Sequence, residues 1–223
     1  MDPQGNGAQT WSMRNETLPA GARVEGVLFD LLMAVMNSVQ TWSEAAQDDH
    51  RGLAWRDAVT ARMVASDAYV PYELLVTDAA DQLRLPKSAS ADLIGRWASM
   101  QPWPDAASVA RLSLPYAFVT NCSSELAGVA TDRSGLRPRF TLSAEDAGRF
   151  KPDARIYHQA CRRLGSAIER TLFVSGSPYD AEGAVAAGLP VVLVLRRADQ
   201  RSPSTSVPVT RSLDDVIDAI NRT

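Results

Sequence analysis

The chain has 223 residues, enough to bury a sizeable core and to carry one domain with an insertion. Its composition is that of an ordinary globular protein (45% hydrophobic, 22% charged), and a formal net charge of −3 gives neither nucleic acid nor an anionic membrane a reason to bind. No apolar run reaches the roughly 18 residues of a membrane span, the N-terminus lacks the charged-then-apolar order of a signal peptide, and Cys122 and Cys161 form no metal, redox or disulfide framework, so a reducing cytoplasm is expected.

Residues 1–24 are polar, rich in Gly, Pro and Asn, and without helical or strand period; they read as a flexible extension in which Trp11 and Met13 are idle. The first strand is expected over Val24–Asp30, a Val-Leu-Phe run that ends abruptly in an acid. Three helical patterns follow without a strand between them, Ser43–Ala61, Pro71–Leu83 and Ala89–Met100, closed by the turn-like Gln101-Pro102-Trp103-Pro104-Asp105. This block is too long for a βα loop. It predicts a helical cap, residues 39–104, inserted into a core of residues 25–38 and 105–223 and placed over the carboxyl ends of the strands. Buried parallel strands are then expected at Tyr116–Thr120, Leu172–Ser175 and Pro190–Leu195, alternating with helices at Ser123–Thr131, Asp153–Leu164 and Tyr179–Ala187, the last stopped by Gly188. The basic pairs Arg162-Arg163 and Arg196-Arg197 read as solvated surface. Val207–Val209 and Ser212–Asn221 read as an edge strand and a closing helix. The fold class is α/β, a Rossmann-like parallel sheet with an inserted helical cap.

Polar residues gather where the strands end. Asp30 ends the first, Thr120 and Asn121 the second, and Ser175, Ser177 and Asp180 follow the third. Lys151 lies in a loop just before a helix, in Arg149-Phe150-Lys151-Pro152-Asp153. A carboxylate, a hydroxyl, an ammonium and a second carboxylate thus converge on one crevice. His50 and His158 pair with no Cys or acid cluster and are not metal ligands. Cys122 has no His partner and is not a catalytic thiol.

The strings around these positions make the chain resemble the haloacid dehalogenase (HAD) superfamily, and within it the type II 2-haloacid dehalogenases. Leu28-Phe29-Asp30-Leu31-Leu32 is similar to the first motif and Phe118-Val119-Thr120-Asn121 to the second. Lys151-Pro152-Asp153-Ala154-Arg155-Ile156-Tyr157 corresponds to the third, and Phe173-Val174-Ser175-Gly176-Ser177-Pro178-Tyr179-Asp180 to the fourth. The resemblance implies that Asp30 attacks carbon and that water hydrolyses the resulting ester. It implies catalytic roles for Asp30, Lys151, Asp180 and Ser175. Lys151 would keep Asp30 ionised, and Asp180 would hold Lys151 and a water. Thr120 and backbone N–H groups would receive the substrate's anionic group. Asn121, Ser177, Tyr157, Leu32 and Met33 would surround the substrate, and Arg56, from Trp55-Arg56, would receive the leaving halide.

Two positions argue against phosphoryl transfer. HAD phosphatases carry an acid two residues beyond the nucleophile to protonate a departing alkoxide; here Leu32 stands there. They also hold Mg²⁺ through an acid where this chain has Ser175, and a hard divalent cation prefers carboxylates. No metal and no cofactor are expected, and the leaving group is one that departs without a proton.

Several positions depart from the dehalogenase pattern. Leu32-Met33-Ala34 replace Tyr-Gly-Thr, and Ser177 replaces Asn. Ala34 removes a hydroxyl that supports the nucleophile, a change worth on the order of 10²–10³ in rate. Two alternatives to hydrolysis therefore stay open. One is a relative in secondary metabolism that expels sulfate or halide by attack from within the substrate, closing an aziridine-type ring; the other is a degenerate, non-catalytic partner subunit. The expected partner is a small-molecule substrate. The resemblance implies a homodimer, and the altered motifs are equally compatible with a heteromer containing a paralogue.

Overall fold

The computed structural model describes residues 17–198, 200–201 and 203–222. Six parallel strands form one sheet in the order β3-β2-β1-β4-β5-β6: β1 Gly26–Asp30, β2 Tyr116–Thr120, β3 Thr141–Ser143, β4 Thr171–Ser175, β5 Val191–Val194 and β6 Val209–Thr210. Period-two alternation serves both faces because both are covered. Val27 and Phe29 of β1, Phe118 of β2 and Val174 of β4 point into one apolar cluster. Leu28, Ala117, Val119 and Phe173 point into the other. The second face is covered by helices α7 (Ala154–Leu164) and α8 (Pro178–Ala186). On the first, α5 (Ser124–Ser134) and α9 (Leu213–Asn221) pack with the inserted helices. A short helix, α6 (Ala144–Ala147), is started by a capping box in which Ser143 and Asp146 satisfy each other's backbone N–H groups.

Between β1 and β2 the chain leaves the sheet. A five-residue π-helical turn, Leu31–Val35, follows Asp30 and is closed by the Met36 N–H on the Leu31 carbonyl at 2.8 Å. Four helices follow: α1 Ser38–Ala46, α2 Asp49–Val64, α3 Tyr72–Gln82 and α4 Ala89–Arg96. The return segment pairs with the outgoing one through a Met36–Pro102 bridge, flanked by Asn37 N–H to Gln101 O and Trp103 N–H to Val35 O, both 2.9 Å. Buried indoles tie the block together and to the sheet domain: Trp55 Nε1 donates to Val76 O and Trp97 Nε1 to Leu126 O, each at 2.9 Å. Among the described residues no helix is long and apolar enough to cross a membrane.

The sequence-based reading needs four corrections. The single helix expected over Ser43–Ala61 is two helices, because Gln47 adopts a left-handed conformation (φ 56°) and Asp48 caps α2 by accepting from the Arg51 N–H at 2.8 Å. Gly52 then permits close packing; a Cβ there would lie 2.7 Å from the Ser43 backbone. The edge strand β3 was not expected, since three residues are too few for periodicity to show. Of the extension expected over 1–24, residues 1–16, with Trp11 and Met13, lie outside the described residues. Leu18 and Ala22 instead pack on the core, and Val24 is buried. Arg196, read as surface, has only 5% of its side chain exposed and is paired with Asp105 at 2.7 Å.

Candidate active site

The sheet brings Asp30 to the carboxyl end of a central strand, level with Val119 of β2. Lys151 reaches it from the turn that precedes α7. Asn121 fixes that turn from both sides: its Oδ1 accepts from the Lys151 N–H at 2.7 Å and its Nδ2 donates to the Lys151 carbonyl at 3.1 Å. The Lys151 ammonium then spends its three protons on Asp30 Oδ1 (3.0 Å), Asp180 Oδ2 (2.6 Å) and Val119 O (3.3 Å). The Tyr157 hydroxyl donates to Asp180 Oδ1 from behind, its ring edge-on to Phe173. Close approach of the backbone makes this packing possible, for a Cβ at Gly183 would come within 2.2 Å of the Pro152 side chain.

This triad is almost wholly removed from water: Asp30 is 4% exposed, Lys151 1% and Asp180 0%. Burial alone would lower the Lys151 pKa, but the carboxylates of Asp180 and Asp30 outweigh it and hold the ammonium well above its ordinary range. Asp180 is pushed up to about 6, by burial first and by the charge of Asp30, against the pull of Lys151 and the Tyr157 hydroxyl. One cation between two carboxylates leaves a net negative charge in a dry site. Asp30 Oδ2 accepts no hydrogen bond from any described residue, and Asp30 lines a pocket.

That pocket, about 40 Å³ of space open to water, lies between the sheet domain and the inserted helices. It has room for about three water molecules. Its apolar wall is formed by Leu32, Met33, Trp42, Val59 and Met63. Arg56 enters from α2 with 17% of its side chain exposed, and Nη1 lies 3.3 Å from Asp57 Oδ1. Tyr72 is buried, and its hydroxyl has no hydrogen bond among the described residues; burial raises its pKa well above normal. Tyr179, pushed up to about 12 by burial, accepts from Asn121 Nδ2 at 3.4 Å. The hydroxyls of Ser38 and Thr60 are already committed, to Met33 Sδ (3.4 Å) and Arg56 O (2.9 Å).

The residues singled out from sequence divide into two groups. Asp30, Lys151, Asn121, Arg56, Leu32 and Met33 line the pocket. Thr120, Tyr157, Ser175, Ser177 and Asp180 are buried and are not among the residues that line it. Thr120 Oγ1 lies against Cys122 Sγ (3.4 Å), a thiol that burial pushes up to about 12. Ser175 Oγ donates to Ser177 O at 2.8 Å and accepts from the Ser177 N–H, so it shapes the turn into α8. Asp180 has one oxygen on Lys151 and the other under Tyr157. Sequence reasoning missed Trp42, Val59, Met63, Tyr72 and Tyr179. For α2 a signal existed: Arg56, Val59, Thr60 and Met63 follow i, i+3, i+4, i+7 and form one helical stripe facing the pocket.

Comparison with known proteins agrees with this architecture. The family model described as haloacid dehalogenase-like hydrolase matches residues 24–188. An (S)-2-haloacid dehalogenase of Pseudomonas putida is 29% identical over 195 residues, which is 78% of this chain and 86% of the relative. One from Pseudomonas fluorescens is 27% identical over 201 residues, 85% of this chain and 75% of the relative. Among solved structures, the L-2-haloacid dehalogenase from Xanthobacter autotrophicus with chloropropionic acid covalently bound aligns with a TM-score of 0.78 at 18% identity, over 89% of this chain and 98% of that one. At that identity the structural likeness speaks for the fold, whereas the family match spans most of the chain and includes Asp30, Lys151 and Asp180. The chain belongs to the haloacid dehalogenase-like hydrolases.

Proposed function

We propose that the protein hydrolyses a bond between carbon and an anionic leaving group, in a small 2-substituted acid of the kind named for its relatives, with Asp30 as nucleophile. The observation that carries this reading is the asymmetry of Asp30, which lines the pocket: Lys151 holds Oδ1 at 3.0 Å, while Oδ2 has no donor among the described residues. A carboxylate fixed at one oxygen and bare at the other is oriented for attack and carries little solvation to shed. Oδ2 forms the new C–O bond as the C–X electron pair leaves with X⁻. Water then adds at the Asp30 carboxyl carbon, the alcohol departs, and the carboxylate is restored. Each turnover releases one X⁻ and one proton.

Arg56 and Tyr72 supply donors at the far side of the pocket, suited to the departing anion or the substrate carboxylate, and the apolar wall excludes bulk water. Asp180 and Tyr157 act through Lys151. The donor set does not suit a divalent ion: the Lys151 ammonium occupies the space between the two carboxylates, and Ser175 stands where an acidic ligand would be needed. Leu32 stands where the phosphatases carry the acid that protonates a departing alkoxide, which favours halide and similar leaving groups over phosphate esters.

The test is halide and proton release from a panel of 2-halo acids, with metal chelated, for the wild type and Asp30→Asn. The reading predicts stoichiometric release by the wild type and loss of at least about 10³-fold in the variant. Full activity in Asp30→Asn, or an absolute requirement for magnesium, contradicts it.

A further inference from the structure

The π-helical turn that carries the chain away from Asp30 ends in carbonyls that no helix continues to satisfy. Three in a row are taken by two residues remote in sequence. Trp103 Nε1 donates to Met33 O at 3.0 Å, Arg196 Nη2 donates to Ala34 O, and the Trp103 N–H donates to Val35 O at 2.9 Å. Arg196 lies over the Trp103 ring, 5.1 Å from its centroid, and its Nη1 is fixed by Asp105 Oδ2 at 2.7 Å. The same oxygen accepts from the Leu213 N–H that opens α9. On the other side the turn rests on Gly176, where a Cβ would fall 2.3 Å from Met33 C and 2.4 Å from Ala34 N. Gln200 holds Gly176 in turn through its carbonyl at 2.9 Å.

We infer that Arg196 and Trp103 form a clamp that positions Asp30 for attack. The inference rests on the reading of Asp30 as nucleophile. Ala34 offers no hydroxyl to Asp30, so the turn after the nucleophile must be held from outside, and these contacts hold its backbone instead of its side chains. Arg196 and Trp103 are positioning residues, since neither lines the pocket. A slip of the turn by about 1 Å would misplace Oδ2 and cost up to about 10²-fold in rate. The substrate contacts on α2 and α3 would be unchanged.

Two variants test the clamp. Trp103→Phe removes one carbonyl donor while keeping a ring under Arg196. Arg196→Met with Asp105→Asn removes the other without stranding a buried charge, and Asn can still accept from Leu213. The clamp predicts kcat lower by about 3–10-fold in the first and about 10–100-fold in the second, KM within about twofold of wild type, and faster amide exchange in the peptide spanning 31–36. Folded variants with wild-type kcat and unchanged exchange would overturn it, as would a rise in KM at constant kcat. If the wild type turns over no 2-halo acid, the proposed function fails, and the exchange of residues 31–36 alone decides the clamp.

Discussion

Replacing Lys151 with Met leaves Asp30 and Asp180 facing each other in a site where neither is more than 4% exposed. Removing one partner from a buried ionic cluster costs about 3–5 kcal/mol, because the charges left behind have lost their counterion in a largely desolvated site. The loss should depend on pH. Asp180 already sits at about 6 with the ammonium beside it, and without that cation its pKa must rise further. The folded variant then binds a proton that the unfolded chain, with an ordinary carboxyl at 3.8, does not. Its stability therefore falls as pH rises from 3.8 towards the raised folded value; the wild type shares that fall up to about 6, so the gap between the two widens above 6, by up to about 1.36 kcal/mol per pH unit. Urea unfolding of wild type and Lys151→Met at pH 6 and pH 8 measures this. The destabilisation should be about 3–5 kcal/mol at pH 8 and smaller by up to about 2.7 kcal/mol at pH 6. Equal losses at the two pH values, or a loss below about 1 kcal/mol at pH 8, would refute the picture of a dry triad neutralised by Lys151.

Other perturbations probe the same site from different sides. The Tyr157 hydroxyl lowers the Asp180 pKa, so Tyr157→Phe should move the acid limb of the kcat profile to higher pH; an unmoved limb places the titration elsewhere. The Tyr72 hydroxyl has no hydrogen-bond partner among the described residues, so Tyr72→Phe should leave the melting temperature unchanged or slightly raised while KM rises about 3–10-fold through a lost donor to substrate. A drop in melting temperature with unchanged KM would assign that hydroxyl a structural role.

The core of the fold was legible because its signals are local. Val-Leu-Phe-Asp, Tyr-Ala-Phe-Val-Thr and Thr-Leu-Phe-Val-Ser are continuous apolar runs that end in polar residues, as strands buried on both faces must be, and they place Asp30, Asn121 and Ser175 at one edge. Lys151 could be assigned from its motif, although 121 residues separate it from Asp30. What escaped depends on tertiary packing. Nothing local at Gln47 announces a break between α1 and α2; Asp48 could equally have been a helix residue until the cap formed. A Thr and a Ser at strand ends look like ligands for an anion, yet whether Thr120 and Ser175 face the pocket or their neighbours is fixed by the turns that follow. Arg196 in a basic pair resembles surface until Asp105, 91 residues earlier, is brought beneath it. Tyr72 joins the pocket only because α3 folds back over α2.

The account turns on a covalent ester at Asp30. A single turnover of 2-chloropropionate in H₂¹⁸O, with enzyme in excess, followed by proteolysis and mass measurement of the peptide that carries Asp30, tests it most directly. Attack by water on the ester carbonyl predicts about one ¹⁸O in the Asp30 carboxylate and none in the first alcohol formed. Label found in the alcohol, with Asp30 unlabelled, would mean that the water reached the substrate carbon itself and that Asp30 was never bonded to it.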